Sequence, residues 1–261
     1  MLPIKIAVNS LLRRAGYQIS RFEPAAPAPV IDGLPADFDD EDRRLWGRVH
    51  PHTMTSPERV FSLRRAVEHV SAAGIPGDIV ECGVWRGGSA MAMALTLARL
   101  GDTARGLYLY DTYDDGWPAG GEFDITREGV PAHQLWLDAQ ARGETAETLF
   151  AQLEGVRLVM ESTGYPMDRV FLVKGKVEDT IPGVAPETIS LLRLDTDWYE
   201  STRHEFEHLW PRLSPGGVLI IDDYGLWQGS RKATDEYFAA HGIHMLLHRV
   251  DTMGYRIGIK R

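Results

Sequence analysis

Four aspartates directly follow two apolar runs of the sequence. ISLLRLDTDWY, residues 189–199, reaches Asp195 and Asp197 after its leucines, and GGVLIIDDYG runs into Asp222 and Asp223 in the same way. Short apolar runs of this kind are typical of buried strands. Because the carboxyl ends of neighbouring parallel strands meet at one edge of a sheet, we expect these carboxylates to lie close together.

Carboxylates so close repel one another unless a cation lies between them. Asp195, Asp222 and Asp223 offer oxygen ligands, which favour a hard ion, Mg²⁺ or else Mn²⁺ or Ca²⁺. Such an ion would lower the pKa of a bound hydroxyl group and orient it for reaction. The sequence suggests no cysteine or histidine cluster for zinc. Alternatively the acids cap the following helices, a role that we predict for Asp197 ahead of Tyr199.

A glycine-rich turn follows an earlier apolar run, in ECGVWRGGSA at residues 81–90. Gly83 permits a tight turn, and Gly87 and Gly88 leave the first N–H groups of the next helix open to an anionic group. The spacing differs from the dinucleotide fingerprint G-x-G-x-x-G. Glu81 would repel a pyrophosphate but could accept a hydrogen bond from an ammonium group. The turn therefore favours the amino-acid end of S-adenosylmethionine over NAD, with a packing turn as the alternative.

Two more strand ends carry groups that suit a nucleoside. Asp111 closes LYLYD, a place where a carboxylate can bind both hydroxyl groups of a ribose. Gly175 follows VFLVK and permits close approach of a ligand, and Glu178 or Asp179 could accept a hydrogen bond from the amine of adenine. Solvated surface acids are the alternative at both places. Together these residues favour a cofactor that contains adenosine.

The elements that must position these groups alternate between strand and helix patterns. Strand patterns cover residues 78–82, 106–111, 170–174, 189–195 and 217–222. Helix patterns cover residues 57–73, 87–100, 156–164, 199–210 and 230–240. Residues 244–250 and 255–260 form a hairpin pattern. This order predicts an α/β fold with a doubly wound, mostly parallel sheet, helices on both faces and one antiparallel strand at the end.

Two segments do not fit the alternation. Residues 1–47 read as a short amphipathic helix and a proline-rich linker, the linker lying at 22–37. We expect the helix to pack on its own protein, with an acidic membrane surface or a partner as the alternative. Residues 112–155 are long for a connection and predict a lid over the site, the alternative being a surface excursion without a role.

Composition limits the classes of partner. The 261 residues carry a formal net charge of -9 without a dense run of lysine and arginine, so nucleic acid is not expected as a partner. Cys82 is the single cysteine, which excludes an internal disulfide and fits a reducing cytoplasm, where we expect the protein. No apolar run has the length needed to cross a bilayer, so we expect no stable membrane insertion.

Taken together, the motifs resemble the macrocin/mycinamicin O-methyltransferase family, whose members methylate sugar hydroxyl groups on macrolides, aminocoumarins and related glycosides. The resemblance is carried by ECGVWRGGSA, LYDTY, LLRLDTDWYEST, LSPGGVLIIDDYG and GSRKATDEYF, and it runs from about Arg48 to the C-terminus. It implies a Rossmann-like class I S-adenosylmethionine-dependent fold for residues 48–261, with seven strands, the last antiparallel. It also implies a lid, dependence on Mg²⁺ and a homodimer or larger homo-oligomer.

The resemblance and the strand ends together assign roles to single residues. The methionine end of the cofactor would contact Met54, Thr55, Glu81, Gly83, Trp85, Arg86, Gly88 and Ser89, the ribose Asp111 and Thr112, and the adenine Gly175, Val177 and Glu178. Asp195, Asp222 and Asp223 would hold the metal ion. Asp195 is the first candidate for the base that accepts the hydroxyl proton, and His133, in the lid motif PAHQLW, is the second.

We therefore predict a Mg²⁺-dependent O-methyltransferase that transfers a methyl group from S-adenosylmethionine to a sugar hydroxyl of a glycosylated natural product, or to a related polyol. A catechol or other aromatic diol is the alternative acceptor, since Trp117, Trp136 and Trp227 could stack on either. A cofactor-binding subunit without catalytic activity is the alternative from another class. A nicotinamide oxidoreductase is disfavoured, because the pyrophosphate fingerprint does not stand out.

Overall fold

The structure is a computed structural model that describes residues 33–116, 120–141 and 151–261. The chain divides into two compact units, residues 1–37 and 38–261. The predicted N-terminal helix and most of the proline-rich linker lie outside the described residues. The second unit begins at Phe38, before the domain start that the motifs suggested near residue 48.

The second unit shows the predicted alternation. Its helices are α1 (Asp40–Val49), α2 (Pro57–Ala72), α3 (Gly88–Leu100), α4 (Ala132–Ala141), α5 (Leu153–Glu161), α6 (Val177–Thr180), α7 (Tyr199–Leu209) and α8 (Gln228–Ala240). Its strands are β1 (Asp78–Cys82), β2 (Leu107–Asp111), β3 (Val170–Lys174), β4 (Ile189–Leu194), β5 (Leu213–Ile221), β6 (His248–Arg249) and β7 (Arg256–Ile259). The helices α1 and α6 were not predicted. Within the described ranges, no helix combines the length and apolar character needed to cross a bilayer.

The seven strands form one sheet in the order β3-β2-β1-β4-β5-β7-β6. The strands β1 to β5 pair in parallel, and β7 is antiparallel to both β5 and β6. The prediction of a doubly wound α/β sheet with the last strand antiparallel is confirmed. Leu194 on β4 pairs with Ile221 on β5. The residues that follow them, Asp195 and Asp222, therefore leave the sheet side by side.

Apolar side chains cover both faces of the sheet. Successive strand residues point to opposite faces, so Ile79 packs in a cluster with Val67 and Met93 of α2 and α3, whereas Val80 packs in a second cluster with Phe206 of α7. These five side chains are at most a few per cent exposed. The buried sheet is a rigid support, and the groups that follow its strands are held in fixed positions.

The helix α2 begins where the sequence predicts. The hydroxyl of Ser56 accepts a hydrogen bond from the backbone N–H of Arg59 at 3.3 Å, and Pro57 takes the first helical position. This start places Arg59 in the first turn, where its side chain is buried and pairs with Asp222 beyond the end of β5. A local capping signal thus positions a charged group at the strand ends.

The described part of the predicted lid, residues 112–155, is tied to the domain through Asp124. This side chain is 2% exposed and accepts a hydrogen bond from the backbone N–H of Tyr199 at 2.7 Å. The predicted role of Asp197 as the cap of α7 is therefore wrong, because the N–H at the first residue of that helix donates to Asp124. A lid function for the whole segment stays a prediction.

Candidate active site

A cavity of about 440 Å³ lies at the carboxyl ends of the parallel strands, within the usual size range of small-molecule sites. The residues after β1, β2 and β3 form what we call the glycine wall: Gly83, Val84, Trp85, Ser89, Asp111, Thr112, Gly175, Lys176, Val177 and Glu178. The residues at the ends of β4 and β5 form the acidic wall: Arg193, Asp195, Thr196, Asp197, Asp222 and Asp223. Further lining comes from His52, Thr53, Met54, Thr55, Arg59, Tyr110, Trp198, Ser201, Leu226 and Trp227.

Gly83 lets the ends of β1 and β4 approach each other closely. Its φ is +86°, and a Cβ atom there would lie 1.8 Å from the backbone carbonyl oxygen of Asp195. Any side chain at this position would therefore push the two strand ends apart. The tight turn that the sequence predicts at Gly83 is confirmed, whereas contact with a cofactor stays a prediction.

Asp111 holds this turn in place from the end of β2. Its Oδ2 accepts hydrogen bonds from the N–H groups of Val84 at 2.7 Å and Trp85 at 2.9 Å. Its Oδ1 accepts from the N–H of Tyr113 at 2.8 Å. The hydroxyl of Thr112 also lies 3.5 Å from Oδ1. These contacts fix the orientation of the Asp111 carboxylate at the cavity, and its bidentate contact with a ribose stays a prediction.

Gly88 makes room for protein rather than for a ligand. A Cβ atom there would lie 2.5 Å from the Cβ of Thr53 and 2.6 Å from the carbonyl oxygen of His52. The segment that contains both residues continues into Met54 and Thr55, which line the cavity. The missing side chain of Gly88 thus allows this segment to pack against the start of α3. Binding of an anionic group by the first N–H groups of the helix stays a prediction.

Most residues predicted to bind the cofactor do line the cavity. These are Met54, Thr55, Gly83, Trp85, Ser89, Asp111, Thr112, Gly175, Val177 and Glu178. Glu81, Arg86 and Gly88 do not line it. Glu81 is fully buried and accepts a hydrogen bond from Arg193 at 2.8 Å, and burial raises the pKa of its carboxyl group to about 7. The guanidinium of Arg86 lies over the ring of Trp85, 4.6 Å from its centroid.

Asp195, Asp222 and Asp223 come together as predicted. Each offers a carboxylate oxygen, and these oxygens all lie within 4.8 Å of one another. Burial and the charges of neighbouring aspartates raise the pKa of both Asp195 and Asp223 well above its usual value. A cation among them would relieve this repulsion. The donor set consists of oxygens, so these residues fit the predicted hard ion.

Two buried arginines that the sequence analysis missed hold the acidic wall. Arg193 donates hydrogen bonds to Asp195 at 2.6 Å and to Asp222 at 2.5 Å. Arg59 pairs with Asp222 and, at 2.5 Å, with Asp251. A buried guanidinium is tolerated when it is paired. The charged residue inside the apolar run ISLLRL was the signal that could have revealed Arg193.

Carboxyl groups outnumber guanidinium groups in this cluster. The carboxyl groups belong to Glu81, Asp195, Asp222, Asp223 and Asp251, and the guanidinium groups to Arg59 and Arg193. The buried network is therefore short of positive charge when its acids are ionised. A divalent cation would bring it closer to neutrality, which agrees with the geometry of the three aspartates.

Two tryptophans are among the apolar residues that line the cavity. Trp198 and Trp227 meet edge to face with their ring centroids 4.9 Å apart. Trp227 also pairs with Thr126 in an isolated β-bridge, which joins the predicted lid to the loop after β5. Trp227 was predicted to contact the acceptor, Trp198 was not, and Trp117 lies outside the described residues. The cavity thus combines an apolar surface with the acidic wall.

The two candidate bases occupy different environments. Asp195 lines the cavity. His133 is exposed on α4, stacks on Trp136 with ring centroids 6.0 Å apart, and is not among the lining residues. The structure therefore brings Asp195 to the site and does not bring His133 there.

Buried polar atoms at the cavity lack a hydrogen-bond partner in the described part of the protein. They include the hydroxyl of Thr55 and the indole Nε1 of Trp85. An unpaired buried group of this type costs about 1–3 kcal/mol. The indole N–H can donate to a carboxylate, and the hydroxyl can donate or accept. The site thus favours a ligand that brings its own hydrogen-bonding groups.

This sheet order, with its last strand antiparallel, matches the class I S-adenosylmethionine-dependent methyltransferase fold of solved structures such as the O-methyltransferase NovP. The match to the solved structure of the O-methyltransferase NovP covers 80% of this chain and 82% of the NovP chain. Its TM-score is 0.68 and the two sequences are 31% identical. The family model described as macrocin-O-methyltransferase (TylF) matches residues 33–256. The chain belongs to this family and is an O-methyltransferase, as its motifs predicted.

Two relatives match most of the chain. The 8-demethyl-8-(2,3-dimethoxy-alpha-L-rhamnosyl)-tetracenomycin-C 4'-O-methyltransferase of Streptomyces olivaceus is 40% identical over 228 residues, 86% of this chain and 82% of that protein. The mycinamicin III 3''-O-methyltransferase of Micromonospora griseorubida is 33% identical over 220 residues, 82% of this chain and 82% of that protein.

Proposed function

We propose that this enzyme transfers a methyl group from S-adenosylmethionine to a hydroxyl group of a sugar on a glycosylated natural product, in a reaction that depends on Mg²⁺. The names of the relatives, one of them specifying a rhamnosyl tetracenomycin, support the sugar acceptor. The observation that carries the metal dependence is the cluster of Asp195, Asp222 and Asp223, whose oxygens lie within 4.8 Å of one another at the cavity.

The glycine wall would hold the cofactor. The indole N–H of Trp85 and the hydroxyl of Thr55 are unpaired donors suited to the carboxylate of the methionine end. The carboxylate of Asp111 would accept from the ribose, and Val177 and Glu178 line the cavity where the adenine is expected. Because the acidic wall lines the same cavity, an acceptor bound there would lie beside the cofactor.

The acidic wall would prepare the acceptor. Mg²⁺ bound there would lower the pKa of the acceptor hydroxyl group and fix its orientation. Oδ2 of Asp195 accepts a hydrogen bond from Arg193, so Oδ1 is the atom that would accept the hydroxyl proton. The bond between oxygen and the methyl carbon forms as the bond between that carbon and sulfur breaks, and a neutral thioether leaves. Positioning is the main contribution of the protein, because the sulfonium is already a good leaving group.

Replacing Asp223 with Asn tests the metal dependence. The hydrogen bonds of Arg59 and Arg193 go to other carboxyl groups, so this change leaves the arginine network in place. We expect turnover stimulated by Mg²⁺ to fall at least about tenfold, because a ligand is weakened. Binding of S-adenosylmethionine, measured by calorimetry, should stay near the wild-type value. Asp222→Asn should lose more, since Asp222 also anchors both arginines.

The matched control is Asp168→Asn, which changes an exposed acid that precedes the start of β3 and does not line the cavity, so turnover should stay unchanged. Wild-type turnover of the Asp223→Asn variant in EDTA would contradict the metal role. The acceptor is tested separately, by comparing deoxysugar glycosides with catechols as substrates. Faster methylation of the catechols would contradict the sugar acceptor while leaving the metal site intact.

The homo-oligomer implied by the family stays a prediction. Light scattering of the purified chain measures its mass in solution directly. A mass equal to the 29.2 kDa of one chain would contradict it.

A further inference from the structure

A second cluster of metal-binding side chains lies on α7. His204, Glu207 and His208 offer ligand atoms that lie within 4.8 Å of one another, and none of the three lines the cavity. In the motif HEFEH the histidines are four residues apart, so they project from the same side of the helix. The expectation that the chain has no histidine cluster for zinc is therefore wrong.

A hydrogen bond fixes the ring of His204. Its Nε2 lies 2.9 Å from the backbone carbonyl oxygen of Ile181. Since a carbonyl oxygen accepts and cannot donate, this contact places the hydrogen on Nε2 and the lone pair on Nδ1. Histidines that bind metals usually donate their other N–H to a carbonyl or carboxylate, which orients the ring. The contact between His204 and Ile181 is of this type.

His208 and Glu207 complete the donor set. The rings of His208 and His204 are neighbours, with centroids 4.4 Å apart. One oxygen of Glu207 accepts from Arg203 at 2.6 Å, and the other is the atom that would face an ion.

We propose that His204, Glu207 and His208 form a binding site for a borderline divalent cation of the Zn²⁺ type. Two imidazoles and one carboxylate are ligands that zinc prefers, with water in the remaining position, whereas Mg²⁺ prefers oxygen ligands. The chain would then bind two kinds of metal ion at chemically distinct places. An ion at the second place would bind side chains of one turn of α7, whose His204 is held by the carbonyl oxygen of Ile181.

The proposed site would bind a metal ion without catalysing peptide hydrolysis. HEFEH also fits the pattern H-E-x-x-H, in which the glutamate of a zinc protease acts as general base. Here that residue, Glu205, is fully buried and accepts a hydrogen bond from Thr196 at 2.9 Å. Its side chain is directed towards the acidic wall and not towards the two histidines.

Calorimetric titration of the untagged chain with ZnCl₂, in excess Mg²⁺ to occupy the acidic wall, tests the proposal. We expect one Zn²⁺ per chain. His208→Ala should lower the affinity for Zn²⁺ at least about tenfold. This variant leaves the hydrogen bond between His204 and Ile181 in place. His248→Ala changes an exposed histidine on β6 and should leave the affinity unchanged. In a parallel measurement, Zn²⁺ should raise the Tm of the wild type and not that of His208→Ala.

Two results would overturn this site. One is a wild-type chain that binds no Zn²⁺ under these conditions. The other is wild-type affinity in both His208→Ala and His204→Ala. Since none of these residues lines the cavity, either result leaves the proposed methyl transfer untouched.

Discussion

The two walls of the cavity are held by different interactions. At the glycine wall, Gly83 allows two strand ends to approach and Asp111 accepts N–H groups of the turn, so backbone geometry decides the shape. At the acidic wall, Arg193 and Arg59 bind carboxylates that follow neighbouring strands, so charge balance decides the shape. The difference means that one wall is sensitive to added volume and the other to a lost charge.

The largest effect is expected from removing the central charge. Arg193→Met leaves the carboxyl groups of Glu81, Asp195 and Asp222 without their shared buried partner. Breaking a buried network in this way costs about 3–5 kcal/mol. Urea unfolding at pH 7 measures the loss in free energy of unfolding.

The matched control is Arg203→Met. Arg203 also pairs with two carboxylates, Glu200 and Glu207, but its side chain is 44% exposed. Exposed pairs of this kind contribute about 0.2–1 kcal/mol, so the loss should be small. Equal losses in the two variants would show that charge burial does not organise the acidic wall.

The next effect concerns volume at the glycine wall. Gly83→Ala combines a φ of +86° with a Cβ atom 1.8 Å from a carbonyl oxygen. The left-handed conformation alone costs roughly 1–2 kcal/mol, and the clash adds to it. We expect a larger loss in the free energy of unfolding, together with weaker binding of S-adenosylmethionine, because the turn must move.

Gly101→Ala separates conformation from contact. Gly101 ends α3 with a φ of +72°, but a Cβ atom there meets nothing within 4 Å. This variant should lose about 1–2 kcal/mol and bind the cofactor normally. If Gly83→Ala behaved in the same way, close approach of the strand ends would not be what the glycine wall requires.

Glu205, which lies beneath the acidic wall, should affect the pH dependence of stability. Burial raises the pKa of this carboxyl group well above its usual value, and one of its oxygens accepts a hydrogen bond from the hydroxyl of Thr196. The folded protein then holds a proton that the unfolded chain releases above about pH 4.3. Stability therefore falls as pH rises from that value towards the folded pKa, by up to about 1.4 kcal/mol per pH unit.

Glu205→Gln removes this titration and can keep the hydrogen bond to Thr196. Its stability curve, measured by urea unfolding between pH 4 and pH 8, should be flatter than that of the wild type. Parallel curves would mean that Glu205 is ionised in the folded protein and is compensated in some other way. That result would extend the charge network of the acidic wall to α7.

Much of the fold and of the site could be predicted because the signals are local. Apolar runs ending in acids located β4 and β5, Ser56 and Pro57 located the start of α2, and the glycine turn after β1 was recognised from its spacing. Such patterns depend on neighbouring residues in the chain, so a single sequence displays them.

The sequence by itself therefore determined the order of the elements and which carboxylates follow the strands. Only the tertiary structure decided their partners: Arg59 reaches Asp222 across 163 positions of the chain. It also decided that Asp124 caps α7 and that Gly88 makes room for the segment at His52. The physical reason is that these contacts depend on strand register and on the direction in which each helix leaves the sheet, which spacing along the chain does not encode.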